Sequence, residues 1–219
     1  MSDTLTNVKG GEFLIKDIAA SEIFSLEELN EEQKMLRDSI KEFIDKEVVP
    51  NRERFEHKDY ALTEEVMRKL GEMGVLGIAV PEEYGGLGMD FTTTMLACDM
   101  ASGANGSVAT AYGAHTGIGT LPILLYGTEE QKKKYLPDLA QGTKFGAYCL
   151  TEPDAGSDAN SGKTKARLSE DGKHYIINGQ KMWISNAGFA DTFTFFAKID
   201  DDKNITGFVI NRSELENPE

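Results

Sequence analysis

No run in this sequence approaches the roughly 20 apolar residues that a bilayer-spanning helix needs, so no stretch of it is expected to span a bilayer as a helix. Cysteine is scarce. Cys98 and Cys149 lie far apart, and two reduced, core-facing thiols are expected rather than a disulfide framework. Histidine occurs only at His57, His115 and His174, without metal-ligand spacing, so no metal site is expected. Met1 to Lys9 lacks the basic-then-apolar layout of a secretory signal. These features together point to the cytoplasm. Positive charge is also short: 23 Lys and Arg against 37 Asp and Glu give a net charge of −14. That charge repels polyanions and argues against nucleic acid as a partner. It leaves room for a small phosphorylated ligand, which loop N–H groups or a helix start can hold without a basic surface.

What is present is ordinary for a soluble globular chain, with 40% hydrophobic and 27% charged residues. Residues 1–24 form a lead-in with little periodicity, including Lys9-Gly-Gly-Glu-Phe13, to which no function is assigned. Ser25-Leu-Glu-Glu28 and Asn30-Glu-Glu-Gln33 are helix-start patterns, each a capping residue with an acid or amide three positions on. Leu36, Ile40, Phe43, Ile44 and Val48 then recur at helical spacing, predicting a long helix to about Val49 that Pro50 interrupts or bends. Thr63 is expected to cap a helix through Leu70 that Gly74 stops. Pro81 and closely spaced glycines make Gly77 to Gly88 a structured loop. Helices are expected from Asp90 to Ala101, from Ser107 onward, and from Thr128-Glu-Glu-Gln131 to Gly142.

After Gly142 the period changes from helical to alternating. Lys163–Leu168, His174–Ile177, Lys181–Ile184, Thr192–Lys198 and Ile205–Ile210 read as strands, with turn signals at Glu170-Asp-Gly172 and Asn178-Gly179. The expected fold class is α+β: an α-helical bundle domain at 25–143, then an incomplete antiparallel β-barrel at 144–219. Five strands ending at Asn217-Pro-Glu219 leave an exposed edge, so the β-domain is expected to be truncated.

Two stretches carry the chemistry. Phe145 to Ala159 begins as an apolar, strand-like run, breaks at Pro153 and turns into small and hydroxylated residues around Gly156, Ser157 and Asp158. Lys181 to Gly188 holds the only tryptophan, Trp183, followed at once by polar and small residues. Together they read as two walls of one cofactor site. Taken alone, Trp183 fits a core residue, Ser157 a turn hydroxyl, and Glu152 and Asp154 solvated loop carboxylates.

Tyr148-Cys-Leu-Thr-Glu-Pro-Asp-Ala-Gly-Ser-Asp158 resembles the flavin-binding signature of the acyl-CoA dehydrogenases, and Trp183-Ile-Ser-Asn-Ala-Gly188 is similar to that family's second flavin segment. Val80-Pro-Glu-Glu-Tyr-Gly-Gly-Leu-Gly88 and Tyr126-Gly-Thr-Glu-Glu-Gln-Lys-Lys-Lys-Tyr-Leu-Pro137 match in the same order. The spacing of whole motifs outweighs the bland readings of Thr151, Ser157, Trp183 and Ser185.

The resemblance implies FAD, and oxidation of an acyl-CoA to the 2-enoyl thioester in fatty acid β-oxidation. It puts Tyr148, Leu150, Thr151, Trp183, Ile184 and Ser185 around the isoalloxazine ring. Many family members have Thr in place of Ser185, and the hydroxyl survives. Gly156 and Ser157 meet the FAD pyrophosphate or the CoA portion of the substrate. An aromatic wall suits a flat ring, and donors at its polar edge favour the reduced flavin. The family's carboxylate base belongs to a C-terminal helical domain, so no catalytic residue is expected in this chain, which alone is expected to be inactive and to bind FAD weakly. Ala109 and Gly113, four apart on one helix face, are small residues expected to leave the acyl pocket floor open. Gly113-Ala-His-Thr-Gly-Ile-Gly119 looks most like the long- and very-long-chain branch. Electron-transfer flavoprotein as acceptor and a homodimer or homotetramer follow from the same resemblance. The alternatives are an acyl-CoA oxidase or flavin monooxygenase of the same fold, or a non-catalytic binding module.

Overall fold

The computed structural model describes residues 10–215. The expectations for residues 1–9 and for Asn217-Pro-Glu219 lie outside them. Ser25 does not start a long helix. It opens a single tight turn, Leu26–Glu28. The first real helix is α1, Glu31–Phe43, where Asn30 Oδ1 accepts the Gln33 N–H at 2.8 Å and Gln33 Oε1 accepts the Asn30 N–H at 3.1 Å. The chain then runs on through Pro50 instead of stopping. The turns widen over Ile44–Val48 and tighten over Val49–Asn51 before α2, Arg52–Glu56. A proline removes one N–H donor, and a widened turn with an outside donor absorbs the loss. Here the Asn51 side-chain amide donates to the Glu47 carbonyl at 2.8 Å.

The cap of α3, Tyr60–Glu72, is Asp59, whose Oδ1 accepts the Leu62 N–H at 3.0 Å. Thr63 lies one turn inside and turns its hydroxyl back to the Asp59 carbonyl. An ionised carboxylate at a helix start is favoured by the helix dipole as well as by its hydrogen bond, and here the acid takes the position. Helices α4 (Phe91–Ser102), α5 (Gly106–Gly113), α6 (Leu121–Tyr126) and α7 (Glu129–Gln141) follow, capped by Asp90, Asn105 and, for α7, Thr128. Ile40, Val48, Val66, Met67, Leu70, Tyr112 and Phe145 form the main core between α1, α3, α4 and α5. Among the described residues no helix is long and apolar enough to cross a membrane.

The strands are β1 (Gly146–Cys149), β2 (Lys165–Leu168), β3 (Tyr175–Asn178), β4 (Thr192–Ile199) and β5 (Thr206–Asn211). They form an open sheet, and the pairing is mixed rather than antiparallel throughout. Strand β4 is the hub: parallel to β1 from Gly146↔Thr192 to Cys149↔Phe195, parallel to β2 at Lys165↔Lys198, and antiparallel to β5. Lys181–Ile184 is not a strand. Trp183 and Asn186 both sit in the left-handed region, at φ 59° and 66°, which no extended ladder accommodates.

The sheet meets the helices at one tight seam. Between α5 and α6 the backbone makes a wide turn, Ala114–Thr120, and β1 starts directly against it. A Cβ placed on Gly119 would lie 2.8 Å from the Gly146 carbonyl carbon, so only glycine allows this approach. Beside it, His115 is fully buried. Its Nδ1 accepts the Gly146 N–H at 3.0 Å, which leaves Nε2 as the donor to the Leu139 carbonyl at 3.0 Å. Burial pushes the imidazole pKa down to about 4, against the pull of the Leu139 carbonyl. The ring is therefore neutral, with its tautomer fixed by its two partners.

Gly119→Ala is expected to lower stability by about 2 kcal/mol or more. Gly113→Ala, whose Cβ would meet no heavy atom within 4 Å, should be neutral or stabilising by about 0.5–1 kcal/mol. Urea titrations that fail to separate the two contradict the seam. The depressed His115 pKa means that the unfolded chain takes up a proton below 6.5 that the folded chain refuses until about 4. This contribution to stability is complete above that window and lost through it, worth on the order of 3 kcal/mol. The gap in urea midpoint between the natural protein and His115→Gln should narrow as pH falls through the window, and a constant gap contradicts the assignment.

Candidate functional site

Strand β1 ends at Cys149, and the chain leaves the sheet through half-buried Leu150 and Thr151. The Glu152 N–H donates to the Ala155 carbonyl at 3.0 Å and the Ala155 N–H to the Glu152 carbonyl at 3.2 Å. This closes the turn around Pro153 and carries Gly156 and Ser157 outward, where both are exposed. The second segment is laid alongside the first. The Met182 N–H donates to the Thr151 carbonyl at 3.0 Å, and Lys181 Nζ to the Leu150 carbonyl at 3.1 Å. The two stretches singled out in the sequence are thus neighbours in space.

Trp183 follows, 84% exposed and in the left-handed conformation. A non-glycine residue there carries backbone strain, and a bare indole carries an unburied aromatic surface. The structure therefore does not use Trp183 as a core residue. Ile184 and Ser185 are half-buried, and Ser185 lines a cavity of about 600 Å³ with Thr110, Ala111, Asn186 and Phe189. The Asn186 side-chain amide ties this segment to the seam, donating to the Ala111 carbonyl at 2.9 Å and the Gly146 carbonyl at 3.4 Å. Tyr148 is half-buried, edge-on to Phe196 with ring centroids 4.9 Å apart. Burial raises its phenol above the ordinary value.

Glu152 departs from the expectation of a solvated loop carboxylate. Its Oε1 accepts Lys181 Nζ at 2.7 Å, and both side chains are under a tenth exposed. It also accepts the Lys163 and Thr164 N–H groups. Burial alone would raise the carboxyl pKa, but the Lys181 ammonium, Thr164 and the Lys163 N–H outweigh it and hold the group at about 2. Asp154 does stand in solvent, paired with Lys163 at 2.6 Å. Cys149 is buried and free, its thiol pushed up to about 11 by burial against the opposing pull of Lys181. Cys98 is also free.

A second, apolar cavity of about 290 Å³ opens on another side of α5, lined by Val75, Ile78, Met95, Cys98, Tyr112 and Gly113, among others. Gly113 is on its wall as expected. Ala109 is not among the lining residues. The contribution of α4 and of the loop before it was missed in the sequence. Its signal is present there as a second apolar stripe on α4, Phe91 and Met95 four positions apart, and in the fold both stay exposed while Leu96 and Ala97 are buried.

Residues 30–143 match the model of the acyl-CoA dehydrogenase N-terminal domain and residues 147–216 that of the middle domain. A probable acyl-CoA dehydrogenase of Bacillus subtilis is 46% identical over 204 residues, 93% of this chain and 34% of that protein. A short-chain specific acyl-CoA dehydrogenase of Clostridium acetobutylicum is 41% identical, over 84% of this chain and 48% of that one. Among solved structures, an acyl-CoA dehydrogenase from Bacillus anthracis complexed with FAD superposes with a TM-score of 0.88 at 46% identity. It covers 94% of this chain and 35% of that one. The chain spans about a third to a half of the length of these relatives. The likeness does not single out the long-chain branch, since a short-chain enzyme is among the matches.

With its only indole exposed, the folded protein should show Trp183 emission quenched by acrylamide nearly as strongly as in urea. Strong shielding in the ligand-free protein contradicts this placement.

Proposed function

The chain belongs to the acyl-CoA dehydrogenase family, and on that premise we propose that it forms the FAD and acyl-CoA walls of an acyl-CoA dehydrogenase. The observation that carries the reading is the joining of the two motif segments by the Met182–Thr151 hydrogen bond, with an exposed, strained Trp183 beside them. These residues fit a flavin. An exposed indole offers a face for a flat ring, the Leu150–Thr151 backbone and the Ser185 hydroxyl lie on the adjoining segments, and a Cβ at Gly156 would meet nothing within 4 Å. Bound FAD supplies the acceptor for the β-hydrogen of an acyl thioester.

In this reading Tyr148, Leu150 and Thr151 border the ring, Trp183 and Ile184 pack beside it, and Ser185 offers its hydroxyl. Gly156 and Ser157 meet the pyrophosphate or the CoA portion. The acyl tail enters the 290 Å³ cavity, where Gly113 leaves the wall open to a long chain. No carboxylate lines that cavity among the described residues. Glu152, held ionised at about 2 and saturated by Lys181 and two N–H groups, is a poor acceptor for an α-proton. We therefore assign the general base to polypeptide beyond the described residues. Electrons pass to an electron-transfer flavoprotein, the working form is a homodimer or homotetramer, and two free thiols suit the cytoplasm.

Together with the polypeptide that supplies the base, the flavin-loaded protein, mixed anaerobically with butyryl-, octanoyl- and palmitoyl-CoA, is expected to lose its visible flavin absorbance with at least one of them. Gly113→Leu should lower kcat/KM for palmitoyl-CoA by about tenfold or more and leave butyryl-CoA nearly unchanged. A colourless protein overturns the flavin reading. Equal losses at all chain lengths overturn the role of Gly113. Rapid reoxidation by oxygen without an acceptor protein assigns the oxidase reaction instead.

A further inference from the structure

The buried ion pair between Glu152 and Lys181 has no part in the chemistry just proposed, yet three separate stretches of chain converge on it. The first is 150–152, which supplies the Leu150 carbonyl to Lys181 at 3.1 Å and the Glu152 carboxylate itself at 2.7 Å. The second is 162–164, whose Lys163 and Thr164 N–H groups both point at that carboxylate. A Cβ on Gly162 would come within 3.0 Å of Glu152 Oε1. The third is 179–182. Gly179 lies so close to Thr164 that its Cβ would be 2.3 Å from the hydroxyl, and Lys181 lies over the Phe195 ring at 5.2 Å.

We propose that Glu152 and Lys181 are positioning residues, a clamp that locks the two flavin-facing segments against each other and sets the direction of Trp183. The inference rests on the flavin reading above. Lys181 and Met182 are hydrogen-bonded side by side to Leu150 and Thr151, and the next residue is Trp183 in its left-handed turn. Lys181 is thus the last hydrogen-bonded side chain before the exposed indole, and its ammonium is held between a carboxylate, a carbonyl and a ring face. A buried ion pair is a poor way to gain stability, because removing two charges from water cancels most of their attraction. What it supplies is a single allowed geometry: each partner's hydrogen bonds are met in one arrangement only. The aliphatic packing of a Met–Leu pair would hold the segments together without fixing their register.

The test uses the double variant Glu152→Gln/Lys181→Met, which leaves no unpaired buried charge, with Lys181→Arg as the conservative change. Four quantities are read: the thermal midpoint, the fluorescence anisotropy of Trp183 without ligand, and the Kd and visible spectrum of added FAD. The double variant is expected to fold with a midpoint near that of the natural protein. Its Trp183 anisotropy should fall, its FAD Kd should rise about tenfold or more, and its bound flavin spectrum should shift. Lys181→Arg should recover part of each. A folded double variant with unchanged Trp183 anisotropy overturns the clamp. If the natural protein fails to bind FAD, the function reading falls, and the clamp still stands or falls on the Trp183 signal.

Discussion

Everything about the site hangs from the contact between Gly119 and Gly146. Two backbones meet there at a distance that leaves no room for a Cβ on Gly119, and β1 therefore begins at a fixed point on the helical part. His115 holds the point from the side, its ring bonded to the first residue of β1 and to the carbonyl near the end of α7. Once β1 is placed, its parallel pairing places β4, and β4 places β5 and the start of β2. Asn186 reaches back to the same seam through the Gly146 and Ala111 carbonyls. Both segments proposed to face the flavin thus take their position from one close approach of glycines.

The second constraint is electrical. Glu152 and Lys181 sit where the two segments separate from the sheet, and each is too buried to be solvated by water. A carboxylate in that position is stable only with several donors, and it has them from the ammonium and two backbone N–H groups. The pair also explains why Glu152 is unsuited to proton transfer. Its neighbours stabilise the ionised form so well that a proton taken from carbon would find a weak base. The apolar cavity on the other side of α5 carries no such charges among its lining residues, as a pocket for a hydrocarbon tail requires.

Much of this was legible in the sequence because its causes are local. Asn30 and Thr128 with their partners three residues on, and Gly142 at its left-handed stop, announce their helices within a single turn. The Asp-Gly turn between β2 and β3 is equally local. What escaped depends on distant residues. Glu152 looks like a loop acid until Lys181, 29 positions later, is seen to lie against it. The parallel pairing of β1 with β4 joins strands separated by more than 40 residues, beyond the reach of any turn signal. Lys181–Ile184 has the composition of a strand, but Trp183 within it and Asn186 just after it sit in left-handed conformations that no composition announces. The candidate site residues were found as motifs. Their mutual placement needed the fold, which also put Gly113 on the cavity wall and left Ala109 off it.

The central claim is that the segments around Thr151 and Trp183 form one flavin-facing surface. Hydrogen–deuterium exchange of the flavin-loaded protein, compared with the same protein stripped of flavin, tests it most directly. The account predicts slowed exchange in peptides covering 148–152 and 182–186 together, with the β2–β3 hairpin unchanged. Equal exchange in both segments, or protection confined to the helices or that hairpin, contradicts it.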